Sequence, residues 1–177
     1  SKALAAGNPV NLLHVDRAEI DLPDAVDPYD ARVYAKAVEN FRGLQRDGVL
    51  VREAAPAMYL YRQTMGNHAQ TGLVAVCHIG DYENDIIRKH EKTRKVKEDD
   101  RTRHIVELRA QTGVVFLTYR DSRDVDAVVE RVAAGAPLYD FVAGDGVAHT
   151  VWRAGDRDRD ALVAAFAAVP ALYIADG

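Results

Sequence analysis

The sequence predicts an α/β fold with α+β character, a mixed sheet interrupted by hairpins and flanked by helices, arranged as a single domain. Three observations carry this. Strand-like runs alternate with helical periodicities along 177 residues, a length that suits one domain. The turn sequences Gly66-Asn67-His68 and Gly144-Asp145-Gly146 each lie between β-rich runs, so they read as hairpins and not as the crossovers of a uniform parallel array. Hydrophobic residues make up 48% of the chain, enough to bury a sizeable core.

Residues 9–24 place Leu12, Leu13, Val15, Ile20 and Leu22 loosely between acidic and proline breaks, and an extended segment or short strand is expected there. Across residues 29–47, Val33, Ala37, Phe41 and Leu44 recur at helical spacing. Asp27-Pro28 should start that helix and Gly48 end it. Residues 58–63 and 70–79 form the first hairpin, closed by Gly80, with Asp81 placed to cap a short helix beginning at Tyr82. Residues 114–119 read as a short buried strand. Ser122 then caps a helix carrying Val125, Val128, Val129 and Val132 as far as Gly135. Residues 139–142 and 147–152 are the arms of the second hairpin. An alanine-rich amphipathic helix follows over residues 158–169, stopped by Pro170. Residues 171–174 form a last strand that opens onto Ala175-Asp176-Gly177. A strand with a glycine turn ordinarily leads on and residue 1 is serine, so the chain is expected to be part of a longer protein.

Several function classes are disfavoured. No stretch approaches the roughly 20 apolar residues of a membrane span, and the N-terminus lacks the apolar region of a secretory signal, so a cytoplasmic protein is expected. Cys77 is the single cysteine, which excludes an intramolecular disulfide and a thiolate metal cluster. Its setting in Leu73-Val74-Ala75-Val76-Cys77 suggests a buried, inert thiol. The net charge of −4 is too mild to imply nucleic-acid or membrane binding from the whole-chain field.

Charge is unevenly distributed, however. Residues 88–104 hold eight basic and four acidic side chains, a local +4 that leaves −8 on the rest. The sole aliphatic residue there is Val96, so little is available to dock a helix against a core. At about 100° per residue, a helix would align His90, Arg94, Lys97, Arg101 and His104 on one stripe, bordered by Glu91 and Glu98. A cationic face edged by carboxylates suits an anion, most naturally phosphate. The plainer reading is a solvated helix laced by pairs such as Glu91 with Lys95 and Asp99 with Arg103. His90-Glu91-Lys92-Thr93-Arg94 begins like a zinc-protease motif but lacks the second histidine, and no metal site is expected. His14, His68, His78 and His149 are expected to be hydrogen-bonded structural residues. Asp81, Glu83 and Asp85 could ligate magnesium beside a phosphate, though an acidic first helical turn accounts for them more simply. A Walker loop, a dinucleotide glycine fingerprint and a nucleophile elbow are all missing from the sequence.

Taken in order, Tyr59-Leu60-Tyr61-Arg62-Gln63, Gln70-Thr71-Gly72-Leu73-Val74, Asp81-Tyr82-Glu83, Ile87-Arg88-Lys89-His90-Glu91-Lys92-Thr93-Arg94, Lys97-Glu98-Asp99-Asp100-Arg101 and Tyr173-Ile174-Ala175-Asp176-Gly177 resemble the successive motifs of the domain-of-unknown-function 1015 family. The resemblance spans essentially the whole chain. In that family the Ala-Asp-Gly signature runs on into His-His-Arg, whereas this sequence stops at Gly177. The family's turn is similar to the phosphate-binding motif of the ParB and sulfiredoxin superfamily, some of whose members phosphorylate free serine.

The resemblance therefore implies a nucleotide-dependent phosphotransferase acting on a small hydroxyl compound, with free L-serine as the leading acceptor. It implies Glu91 as general base and His90 as the residue that orients the substrate or touches phosphate. Arg94, Lys97, Arg101 and His104 would contact phosphate or nucleotide, and Asp176 and Gly177 would mark the rim of the phosphate turn. Mg²⁺ and ATP or ADP are the implied cofactors, nucleotide and small-molecule substrate the implied partners, and nucleic acid is not expected. The alternative is a non-catalytic nucleotide- or nucleic-acid-binding module of the ParB-like superfamily.

Overall fold

The computed structural model describes residues 1–89 and 93–177. Among them the α+β class is realised, with helices flanking two separate sheets in place of one mixed sheet. The chain divides into two compact units. One is built from Ser1–Arg52, the described part of Glu91–Phe116, and Asp176–Gly177; the other from the described part of Glu53–His90 and Leu117–Ala175.

The first unit is helical. It holds α1 (Lys2–Ala5), α2 (Leu13–Asp16), a 3₁₀ turn (Ala18–Asp21), α3 (Ala31–Arg46) and, later in the chain, α5 (Lys95–Leu108). The segment expected to be extended is therefore coiled. Asn11 Oδ1 accepts from the Leu13 amide at 3.0 Å, which secures the first turn of α2. Val15 and Ala18, three residues apart, are then both buried against Val33, Ala37 and Leu44, so the apolar period here is three and not two. Helix α3 starts one turn later than Asp27-Pro28 suggests. Asp27 instead accepts from the Tyr29 amide at 2.7 Å in an Asx turn, and Asp30 is the cap, accepting from the Arg32 amide at 2.9 Å. Gly48 follows the helix at φ 72°, in the left-handed region that ends helices cheaply.

The second unit carries the hairpins. Strands β1 (Tyr59–Met65) and β2 (His68–Val74) pair antiparallel across Gly66-Asn67, and β5 (Tyr139–Val142) pairs with β6 (Ala148–Arg153) across the second glycine turn. Pairing of β1 with β6 joins them into a sheet of order β2-β1-β6-β5. Leu60 lies opposite Trp152 in that register, and both are buried under α6 (Arg123–Ala133) and α7 (Asp156–Ala167) with Val125, Val128, Val132, Leu162 and Ala165. Ser122 caps α6 as expected, accepting from the Val125 amide at 3.5 Å.

A second sheet, in the order β3-β7-β4, comprises β3 (Ile87–Arg88), β7 (Leu172–Asp176) and β4 (Phe116–Thr118). β3 and β7 run parallel. β4 is shorter and more open than its apolar run suggests, since Val114 is 78% and Phe116 46% exposed.

Two local expectations are corrected. Helix α4 (Ile79–Glu83) is capped by His78, whose Nδ1 accepts from the Gly80 amide at 3.0 Å, so Asp81 lies inside the helix. Cys77 is exposed and not part of a core. Partial desolvation and the nearby Asp81 carboxylate nonetheless push its thiol above the ordinary cysteine value, which keeps the weakly nucleophilic protonated form. None of the described helices is long and apolar enough to cross a membrane.

Candidate functional site

The charged segment is not one helix. Arg88 belongs to β3, where its guanidinium lies 5.6 Å over the Tyr173 ring, and Lys89 lies 4.0 Å over Tyr82. His90 and Glu91, the residues assigned to catalysis, fall outside the described residues together with Lys92. Helix α5 then begins at Lys95, with the exposed Arg94 at its N-cap position.

With only Val96 to offer among its first residues, and that side chain 60% exposed, α5 docks largely through polar groups. Tyr34 of α3 donates its hydroxyl to Asp100 Oδ1 at 2.8 Å, and Arg103 stacks on the same ring at 4.2 Å. His104 is buried and its Nε2 donates to the Val15 carbonyl at 3.0 Å, which ties α5 to α2 and sets the proton on that nitrogen. Leu108 supplies the apolar anchor. Burial, and then the bond to Asp100, push the Tyr34 phenol up to about 12, because both disfavour the phenolate. Among the described residues, α5 also carries the i,i+4 surface pairs Lys95 with Asp99 and Arg103 with Glu107.

Between α2, the 3₁₀ turn, α3 and α5 lies a cavity of about 150 Å³, wholly within the first unit. Lys97, Arg101 and His104 line it from one face of α5, at the spacing expected of the basic stripe. Tyr29, Tyr34, Val33 and Ala37 line it from the α3 side, and Val15, Asp16, Arg17 and Glu19 from the α2 side. Arg94, Asp176 and Gly177 are not among its lining residues. Asp176 ends β7, and Gly177 takes φ 103° with an added Cβ only 3.1 Å from Val115 Cα. A side chain there would be both strained and crowded.

The lining is of mixed sign, with Arg17, Lys97 and Arg101 set against Asp16, Glu19 and Asp100. Arg17 pairs with Glu19 at 3.1 Å, and Arg101 with Asp100 at 3.3 Å. Lys97 donates to the neutral Tyr29 hydroxyl at 3.2 Å. Asp16 Oδ1 is shut away from solvent with no hydrogen-bond partner among the described residues, a state that costs about 1–3 kcal/mol when nothing fills it. Sequence reasoning passed over Asp16, because a single acid ending a four-residue helix carries no periodic or motif signal.

The other histidines are hydrogen-bonded within their own units where contacts are described. His14 meets Asp21 at 2.8 Å, and His149 meets the Tyr61 hydroxyl at 2.7 Å. Among the described residues, no group of three His, Cys, Asp or Glu side chains could hold a metal ion; Asp81, Glu83 and Asp85 form no such group.

The family model described as "Protein of unknown function (DUF1015)" matches residues 1–177. Neither a curated protein nor a solved structure matches the chain.

Proposed function

We propose, on the premise that this chain belongs to the DUF1015 family, that it is the substrate-handling part of a cytoplasmic, nucleotide-dependent phosphotransferase acting on a small hydroxyl compound, with free L-serine as the acceptor. One observation carries the reading: Lys97, Arg101 and His104 occupy one face of α5 and line one small cavity with Tyr34 and Asp16. Ordinary ligand clefts measure roughly 300–1,000 Å³, so a cavity of about 150 Å³ suits an acceptor of a few heavy atoms and is too small for a nucleotide.

In this scheme the acceptor hydroxyl oxygen bonds to the terminal phosphorus of ATP or ADP as the bond to the bridging oxygen breaks, and the hydroxyl proton passes to Glu91. His90 orients the acceptor. Arg94 and Arg101 neutralise charge on the phosphoryl group, the service that fixed cations render best in such reactions. Mg²⁺ would arrive on the nucleotide's own phosphates.

The test is nucleotide consumption by the full-length protein against a panel of free amino acids and small alcohols. A signal with serine that Glu91→Gln abolishes, with the thermal transition unchanged, is the expected result. Full activity in Glu91→Gln would remove the base assignment. Nucleotide binding without consumption of any acceptor would favour the non-catalytic binding module instead.

A further inference from the structure

We infer that the cavity beside α5 recognises a small zwitterion, with Asp16 receiving a protonated amine and Lys97 an anionic group. The inference rests on the assignment of this cavity to the small acceptor, and it adds a recognition residue that neither the sequence motifs nor the family resemblance supplies.

The internal pairing of the lining leads there. Glu19 takes up Arg17, and Asp100 takes up Arg101 while also accepting from Tyr34. His104 is engaged with the Val15 carbonyl. Among the described residues, what remains without an opposite charge is one cation, Lys97, an exposed side chain that donates to the Tyr29 hydroxyl and lies 5.7 Å over the same ring, and one carboxylate, Asp16, with a buried oxygen that accepts from nothing. Asp16 is itself a lining residue of the cavity, so a cationic donor entering the void meets this carboxylate, whose two oxygens exchange by rotation of the roughly two-fold terminal torsion.

An anion alone would satisfy Lys97 and leave Asp16 repelling it; a cation alone would do the reverse. A molecule carrying both an ammonium and a carboxylate satisfies both, and the apolar side chains of Val15, Val33 and Ala37 accommodate its short carbon skeleton. The hydroxyl is not part of this recognition. Alanine should therefore enter as serine does.

Calorimetric titration of the full chain with L-serine, L-alanine, ethanolamine and D-glycerate tests the assignment. Serine and alanine should bind with similar affinity, and the two probes lacking one charge should bind about tenfold or more weakly. Asp16→Asn should weaken serine by about 10- to 100-fold while binding glycerate more tightly than the parent does; Lys97→Met should weaken serine and tighten ethanolamine. Asp16 makes no described side-chain hydrogen bond, so the amide replacement breaks none; should the variant nonetheless fail to fold, the ranking of the four probes on the unaltered protein still decides. Equal affinity for all four, or serine affinity unchanged in Asp16→Asn, overturns the assignment. Serine bound as described but never phosphorylated overturns the phosphotransfer reading and leaves this one standing. Serine phosphorylated with the affinity of Asp16→Asn unaltered does the opposite.

Discussion

Tyr34 shows how a single residue couples packing to charge in this protein. The residue is 4% exposed, its hydroxyl donates to Asp100, and Arg103 lies over the face of its ring. With the phenol pushed up to about 12 from the usual 10, the folded state holds a proton that the unfolded chain releases earlier. This contribution to stability is intact below about pH 10 and fades as pH rises through about 12. Tyr59 and Tyr119 are also raised, by the bond to Glu53 and by burial respectively. Alkaline titration followed by ultraviolet difference absorbance should therefore show a late fraction among the eight tyrosines that shrinks by one residue in Tyr34→Phe; a curve identical in both proteins would refute the pairing. At this scale the sequence was partly legible. Lys97, Arg101 and His104 could be set on one face because helical spacing is a local property. That His104 would be buried, and Asp16 Oδ1 left without a partner among the described residues, depended on α2 coiling across from α5, which no local pattern announced.

At the scale of elements, the caps explain where periodicity alone misplaced a boundary. Asp30 both caps α3 and forks onto Arg32, with Nη2 to Oδ2 at 2.7 Å. These two contacts, the side-chain bond foremost, hold its carboxyl at about 2. A carboxyl depressed in the folded state contributes stability above its ordinary value near 4, and this is lost as pH falls through about 2. Asp30→Ala should therefore lower the thermal midpoint at neutral pH, with the gap from the unaltered protein closing toward pH 2. A gap independent of pH would mean that the ion pair contributes nothing. The valine stripe of α6 and both hairpins were plain in the sequence because their signals, apolar spacing and glycine turns, are contained within the element. The segment that forms α2 and the 3₁₀ turn misled because its apolar residues are too few to distinguish a period of two from a period of three.

For the whole molecule, pairing partners were the least legible feature. Strand existence follows from composition, but the sequence does not say that β1 and β6 meet centrally while β3 and β7 run parallel in a separate sheet; those choices rest on contacts between distant segments. Each unit assembles its own apolar cluster, and Trp152, the single tryptophan, belongs to the cluster of the second. Leu60 is fully buried opposite it. Leu60→Ala should cost that unit about 2–5 kcal/mol, read as a lower denaturant midpoint for the Trp152 fluorescence transition. A midpoint within error of the parent would show that the β1–β6 pairing does not carry the core.

Cys77 and Trp152 also make the molecule its own ruler. A solitary accessible thiol and a solitary indole lie in the same unit, so a thiol-reactive acceptor dye, attached under mildly alkaline conditions to offset the raised thiol value, would quench one donor from one place. Energy transfer between them could then follow this unit's assembly in real time with no residue altered.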